Sequence, residues 1–306
     1  MTSVPSPDRL VSLIMPAWRP DPRWLREAVA SALAQEGCAV ELVLVDDGSP
    51  EPVAAHLEDV ADPRLRLVRI EHGGVSRARN AGIAAARGAY LRFIDADDVI
   101  TPRSTAALLA AASASAGVTY GATLVCDAAL QPVRTLRCGL EGDVAVPCVL
   151  GQLDIMLPSI LFARRVVEAA GPWNEALTLC EDYDFVLRAV ACTSVRAVDE
   201  VATWYRRHGA SATRTADLAV AETAWRAVID GFFARHPDLA GSSLQRRAEA
   251  VLLLDRARAY AHLGQSRKAL SRLLSAARRS PVGAARTFVQ VSRRAVSARL
   301  KRRPPR

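Results

Sequence analysis

The sequence predicts an α/β fold, a mostly parallel sheet flanked by helices and followed by an all-α extension. Three observations predict it. Short apolar runs alternate with helical periodicity through the first hundred residues, and two of those runs end in clusters of aspartate. After about Thr213 every pattern is helical and rich in Ala and Arg.

Each element has its own signal. "VSLIMP" (11–16), "VELVLVDD" (40–47), "LRLVRI" (65–70) and "AYLRFID" (89–95) read as strands, most of them rich in β-branched residues. Between them "WLREAVASALAQ", "EPVAAHLEDV" and "VSRARNAGIAAARG" are each long enough for a short helix. In the first, Trp24, Leu25, Ala28, Val29, Ala32 and Leu33 fall on one helical face. Strand and helix in alternation imply parallel strands joined by right-handed crossovers. An Ala-rich helix is expected from about Arg103 to Gly117, then the strand "VTYGATLVC" and a less regular region to about Pro158. Helical patterns return at 164–170 and 182–191, and "SVRAVDEVATWYRR" reads as two short strands. The expected organisation is a flexible terminus (1–9), an α/β domain (10–213) and a basic helical region (214–306).

Composition narrows the class. No apolar run approaches the roughly 18 residues that span a bilayer. The opening "MTSVPSPDRL" lacks the charged-then-apolar pattern of a secretory signal, so a cytoplasmic protein is expected. Six scattered cysteines with no C-x-x-C pair argue for reduced thiols rather than a zinc site or disulfide framework. The net charge of +8 hides a division. From Gly241 onward 17 basic residues face only Glu249 and Asp255, whereas the preceding 240 residues carry a net −7. The basicity belongs to the tail.

The acid clusters carry the chemistry. In an open α/β sheet, ligands bind beyond the carboxyl ends of the strands. Asp46-Asp47 end one predicted strand and Asp95, Asp97 and Asp98 another, which places both clusters on one edge. Carboxylates so crowded raise each other's pKa unless a cation intervenes. Hard oxygen ligands suit Mg²⁺ or Mn²⁺, usually shared with a phosphate-bearing substrate. Taken singly, each cluster also reads as a turn or a helix N-cap.

The series "VSLIMPAW", "LVLVDDGSPEP", "GGVSRARNAGIAAARGAYLRFIDADD" and "LCEDYDFVLRA", in that order, resembles the family 2 glycosyltransferases with their GT-A fold, over roughly residues 10–210. The resemblance implies that Pro16, Ala17, Trp18 and the acidic pair hold a nucleobase, with Asp46 supporting and Asp47 accepting hydrogen bonds from the base. It implies that Asp95 lies near the ribose and that Asp97 ligates a divalent metal, Mn²⁺ or Mg²⁺, bridging a diphosphate. Asp98 either supports this motif or caps the next helix. Arg77 and Arg79 either neutralise phosphate, pair with the acids, or lie on a solvated helix face. In the E-D pair, Asp182 corresponds to the family's catalytic base, with Glu181 as its neighbour and Asp184 a capping residue. Trp173, in "GPWNEAL", either stacks on a sugar or plugs the core. His208, in "WYRRHG", corresponds to a histidine that joins the metal or diphosphate, with Arg206 or Arg207 nearby. Trp18-Arg19 depart from the usual P-x-Y-N, and Trp173-Asn174 from the usual Phe and Asp.

The implied function is metal-dependent, inverting transfer of a sugar from a UDP-, GDP- or dTDP-linked donor to a hydroxyl on a glycan or lipid-linked acceptor. A degenerate, non-catalytic nucleotide-sugar-binding or interaction domain is the competing class, and the joint presence of Asp47, Asp95, Asp97 and Asp182 favours the enzyme. Nucleotidyl transfer would show a Gly- and Lys/Arg-rich loop after the first strand, which "PAWRPDPRW" is not. Residues 257–281 resemble one tetratricopeptide-type hairpin in the spacing of Ala257, Tyr260, Gly264, Ala269, Leu273, Ala276 and Pro281. The final stretch sets Phe288, Val291, Ala295 and Val296 among arginines, a pattern that fits peripheral docking on the anionic inner face of a membrane. Nucleic acid is not expected as a partner, since no aromatic interleaving accompanies the charge.

Overall fold

The computed structural model describes residues 9–209 and 217–281. Expectations for the first eight residues, for the boundary near 213 and for the tail from 283 to 306 lie outside the described residues. The chain runs β1 (Val11–Ala17), α1 (Pro22–Leu33), β2 (Val40–Asp46), β3 (Leu65–Arg69), α2 (Val75–Ala85), β4 (Tyr90–Phe93), β5 (Val99–Ile100) and α3 (Ser104–Ala111). It continues as β6 (Ala116–Cys126), β7 (Pro132–Leu136), α4 (Ala145–Val149), β8 (Ile160–Ala163), α5 (Arg164–Ala170), α6 (Glu181–Val190) and β9 (Ser194–Arg206). The helices α7 (Leu218–Arg235), α8 (Ser243–His262) and α9 (Ser266–Arg279) follow.

Two compact units result. One holds the described residues up to Cys148 and from Leu153 to 209; the other holds Val149–Gln152 and the described residues from 217 onward. The first is built on one sheet ordered β3-β2-β1-β4-β8-β6-β9-β5, with β7 paired to β6. β3, β2, β1 and β4 are parallel to one another, as the alternation of strand and helix predicts. Beyond β4 the sheet is mixed: β8 is antiparallel to both β4 and β6, while β9 is parallel to β6.

β1 and β2 are buried along their whole length because helices cover both faces, which is why they read as continuous apolar runs. On one face Leu25, Ala28, Val29 and Ala32 of α1 pack on Val11, Leu13 and Met15 of β1 and Leu42 and Leu44 of β2. The start of α1 is fixed by Asp21, whose carboxylate accepts from the Arg23 and Trp24 amides, and by Pro22 in the first turn. On the other face Val43 and Val45 meet Ala78 and Ala81 of α2. A Cβ on Gly82 would lie 2.4 Å from Ile14 Cγ2, so glycine there lets α2 sit close on the sheet.

Three sequence-based boundaries change. The helix expected at 51–60 is only a 3-10 turn, Val53–His56. Asp46 Oδ2 takes the Val53 amide at 3.2 Å, and Pro52 and Pro63 bracket a run too short to propagate. The Ala-rich helix stops at Ala111 because Ser113 and Ala116 close a turn into β6. The two short strands expected after Thr193 are one strand, β9, which follows β6 through several register shifts.

One buried charge escaped sequence reading. Arg92, inside the apolar run of β4, is fully buried and donates to Pro158 O (2.9 Å), Ser104 Oγ (2.9 Å), Thr105 Oγ1 (2.8 Å) and Ala202 O (2.8 Å). It staples β4 to α3 and β9, and burial pushes its guanidinium down to about 9.

In the second unit α8 and α9 form a helical hairpin about Leu263–Gln265, with Gly264 at φ 71°. Ala250, Leu253 and Leu254 of α8 bury Ala276 of α9. Arg272 of α9 reaches Glu222 of α7 at 2.8 Å, and Arg279 reaches Glu249 at 2.7 Å.

Candidate active site

The parallel register aligns the ends of β2, β1 and β4 along one edge, so the two acid clusters converge as the sequence implies. The residues within them divide into structural and available groups.

Asp46 is structural. Its buried carboxylate accepts from the Ser49 amide at 2.8 Å, from Val53, and from Arg69 Nη1 at 2.9 Å, which shapes the turn after β2. Asp47, also buried, faces the loop after β3. Its Oδ1 accepts the Gly73 amide (2.9 Å), and its Oδ2 accepts the Gly74 amide (2.9 Å) and His72 Nδ1 (2.9 Å). Beside it, at the end of β1, Pro16 and Ala17 are buried while Trp18 is 48 % exposed. The Trp18 indole stacks on the His72 ring, centroids 4.6 Å apart and planes within 15°.

Arg79 settles between the acids. It is buried in α2, with Nη2 on Asp95 Oδ1 and Nη1 on Glu181 Oε1, both at 3.0 Å. One guanidinium therefore ties the D-x-D turn to the head of α6, across 102 residues of sequence between Arg79 and Glu181. Of the open readings for Arg79, pairing with the acids is the one observed.

Asp95 and Asp97 each keep about a third of their side chain exposed, at 35 %. Asp97 Oδ2 lies 2.7 Å from His208 Nε2. Burial raises the Asp97 carboxyl above its usual range and the like charge of Asp95 adds to this, with His208 opposing. Asp98 is not the cap of α3, whose N-cap Arg103 makes no side-chain capping bond. It is fully buried; Oδ1 accepts the Arg206 amide at 2.8 Å, and among the described residues Oδ2 has no hydrogen-bond partner. Burial, Asp97 and Asp95 together hold its carboxyl well above the ordinary value. Arg206 clamps the turn from behind, donating to Asp97 O (2.8 Å) and Ala128 O (2.7 Å) and pairing with Glu27.

At the head of α6 Cys180 is left-handed, at φ 60°, and turns the chain so that Glu181 and Asp182 open the helix. Asp182 Oδ1 accepts the Tyr183 amide at 2.7 Å. The residue is exposed at its surface, yet the protein packed around the carboxyl removes hydration and pushes it up to about 6. Glu181 adds to the rise and Arg79 opposes it. A carboxylate poised there can exchange a proton near neutral pH. Asp184, expected as a capping acid, is buried and bonded to Arg188 Nε at 2.9 Å, one turn along.

Trp173 belongs to the core. It is 1 % exposed, stacks on Phe185 at 4.2 Å, and supports the Arg79 guanidinium 4.4 Å from its ring. Asn80 of the "RNAG" segment holds it, accepting the Trp173 amide at 2.8 Å and donating to Trp173 O at 3.1 Å.

Sequence reading missed three members of this edge. His72 covers Asp47. Asn80 pins the Trp173 loop. Tyr205 has its phenol pushed up to about 12 by burial and by Asp98, Asp95, Asp97 and Asp182, which places it where both acid groups are felt. Only the aromatic-basic run "WYRRH" hinted at Tyr205.

The strand order, the acid pair after β2 and the D-x-D turn after β4 define a GT-A type of α/β domain. Residues 12–138 match the family model described as Glycosyl transferase family 2, and the chain carries a domain of that family. Among curated relatives, the succinoglycan biosynthesis protein ExoO of Rhizobium meliloti is 33% identical over 188 residues, 56% of this chain and 53% of that protein. The chain thus spans about half the length of this relative, and less of several others. Among solved structures, the mannosyltransferase PcManGT from Pyrobaculum calidifontis, in complex with GDP-Man and Mn²⁺, superposes with a TM-score of 0.59 at 17% identity, covering 96% of this chain and 83% of that one. S. aureus TarS 1-349 in complex with UDP-GlcNAc gives 0.57 at 15%, covering 89% and 92%. At these identities the likeness shows the fold. No helix among the described residues is long and apolar enough to cross a membrane.

Proposed function

We propose that this chain is a glycosyltransferase that moves a sugar from a nucleotide-sugar donor to a hydroxyl on a glycan or lipid-linked acceptor, with inversion. The observation that carries the reading is the Arg79 bridge, which holds Asp95 of the D-x-D turn and Glu181, next to Asp182, in one crevice. Trp18 and Asp47 face the nucleobase, and Asp95 the ribose. Asp182 takes the proton from the acceptor hydroxyl as its oxygen attacks the anomeric carbon from the face opposite the leaving diphosphate.

The donor set fits a divalent ion delivered with its nucleotide. Among the described residues no cluster of three His, Cys, Asp or Glu side chains converges on one point, whereas Asp97 is partly open and its carboxyl is raised by an uncompensated neighbour. Ions such as Mg²⁺ commonly use one or two carboxylates and complete their shell with phosphate and water. Asp97, with His208 beside it, is the proposed holder of Mn²⁺ or Mg²⁺, which supplies positive charge to the departing diphosphate. A thermal-shift and hydrolysis screen of UDP-, GDP- and dTDP-sugars with either ion tests the reading. At least one donor is expected to raise Tm in a metal-dependent way, and Asp97→Ala to lose most of that shift. A donor shift that is the same without metal and in Asp97→Ala rejects the metal assignment. Donor binding without any transfer to polyprenyl-linked or oligosaccharide acceptors favours the non-catalytic class instead.

We further propose a cytoplasmic protein lying on the anionic inner face of a membrane. Support comes from α9, where Leu270 (58 % exposed) and Leu274 (51 %) share a face flanked by Arg267 and Arg278, and which carries no acid. Sedimentation with phosphatidylglycerol vesicles should fall about tenfold in a Leu270→Glu/Leu274→Glu variant, given the apolar burial lost; unchanged sedimentation overturns the idea.

A further inference from the structure

The contacts around Asp47 go beyond base binding. Trp18 and Asp47 are the pair that this article's nucleotide reading assigns to the base, and the next inference rests on that reading. Both are engaged by the chain itself. The His72 imidazole lies flat on Trp18 and bonds through Nδ1 to Asp47 Oδ2 at 2.9 Å and Asp47 O at 3.0 Å. Carboxylate and carbonyl oxygens only accept here, so Nδ1 is the protonated nitrogen of the ring. A planar ring stacked on an indole and donating one ring N–H to a buried carboxylate makes the two contacts that a uracil, thymine or guanine base would make.

We infer that His72 is a surrogate for the nucleobase, occupying its slot in the free protein and giving way when a nucleotide enters. Three features support displacement over a fixed wall. The His72 side chain is 51 % exposed, so it can rotate out without opening the core. The backbone beneath it is fixed independently: a Cβ on Gly48, itself at φ 68°, would lie 2.6 Å from the His72 nitrogen, so the two turns stay in close contact whatever the ring does. When the ring leaves, Gly73 and Gly74 still hold the Asp47 carboxylate in place. Oδ2 then regains one acceptor position. That position matches a base whose ring nitrogen carries a proton.

The surrogate therefore sets a threshold and a preference. A nucleotide must offer both a stacking face and a ring N–H to replace what His72 gives up. UDP, dTDP and GDP offer both; adenine's corresponding ring nitrogen carries no proton, so ADP does not.

Calorimetric titration of full-length wild type, His72→Ala and Trp18→Ala with UDP, dTDP, GDP and ADP tests this. If the slot is open only about a tenth of the time, His72→Ala should tighten the best-bound nucleotide by about tenfold, because the closed fraction no longer lowers apparent affinity. Trp18→Ala should weaken that same nucleotide, and ADP should gain little in His72→Ala. Weaker binding in His72→Ala would make His72 a wall of the site, and unchanged affinity would mean the stack does not compete; either overturns the inference while leaving the nucleotide reading in place. An equal gain for ADP overturns the N–H preference. Binding of none of the four by wild type or variants removes the nucleotide reading itself, and this inference with it.

Discussion

Asp182→Asn is expected to abolish sugar transfer, with a loss of about 10²–10⁴ in kcat for a missing base, while donor binding stays near wild type. Single-turnover assays and donor titration on the same preparation separate the two effects. Because the Asp182 carboxyl sits at about 6, the wild-type rate should rise with pH through that value and then level off. The sign follows from the role, since a base works only when deprotonated. Glu181→Gln removes part of the cause and should move this limb toward lower pH, though not fully, because burial comes first among the causes. Linkage gives an independent check. An acid whose folded pKa is raised favours the folded state below that value, and the advantage declines as pH climbs from the ordinary aspartate range through about 6. Asn carries no such charge, so the variant should be at least as stable as wild type at pH 7. Full turnover by Asp182→Asn would reject the base assignment.

Arg79→Met is expected to damage stability and chemistry together. Its guanidinium is buried, holds two carboxylates from different elements and rests on Trp173. Breaking a buried pair by removing one partner commonly costs about 3–5 kcal/mol. Asp95 is a third exposed and will partly rehydrate, so about 2–3 kcal/mol is expected here, read from denaturant midpoints. Arg79 also opposes the rise of Asp182, so the acidic limb of the rate profile should move upward in the variant. Arg79→Lys should recover only part of either effect, because one ammonium cannot fork between Nη-type contacts on both acids. If Arg79→Met folds normally and leaves the pH profile in place, the bridge is incidental.

How much of this was legible beforehand follows the range of the interactions. The four parallel strands were readable because each carries its own apolar run, and the acid clusters because they end those runs. What the acids do was not readable. Asp98 looks like a helix cap within its own dozen residues, and only the arrival of Arg206 on β9 shows it to be a buried support. Trp173 reads equally as a sugar platform or a core residue until Phe185 and Asn80 close on it. Residues 51–60 have helical composition, yet Asp46 captures the Val53 amide and diverts the turn. Strand β9 reads as two because its pattern breaks where its register on β6 shifts. His72 carried no signal, since its meaning lies in the ring beneath it and the carboxylate beside it.

The D-x-D turn also bears on how the chain is made. Asp97 and Asp98 leave the ribosome more than a hundred residues ahead of the groups that receive them, for His208 lies 111 positions beyond Asp97 and Arg206 lies 108 beyond Asp98. The nucleotide-side strands β1 to β4 can pack through short crossovers while those carboxylates still face water. Long-range pairings form late because they close the largest loops. The acidic edge is thus expected to be the last part of the sheet completed during synthesis, on a strand added to a half already folded.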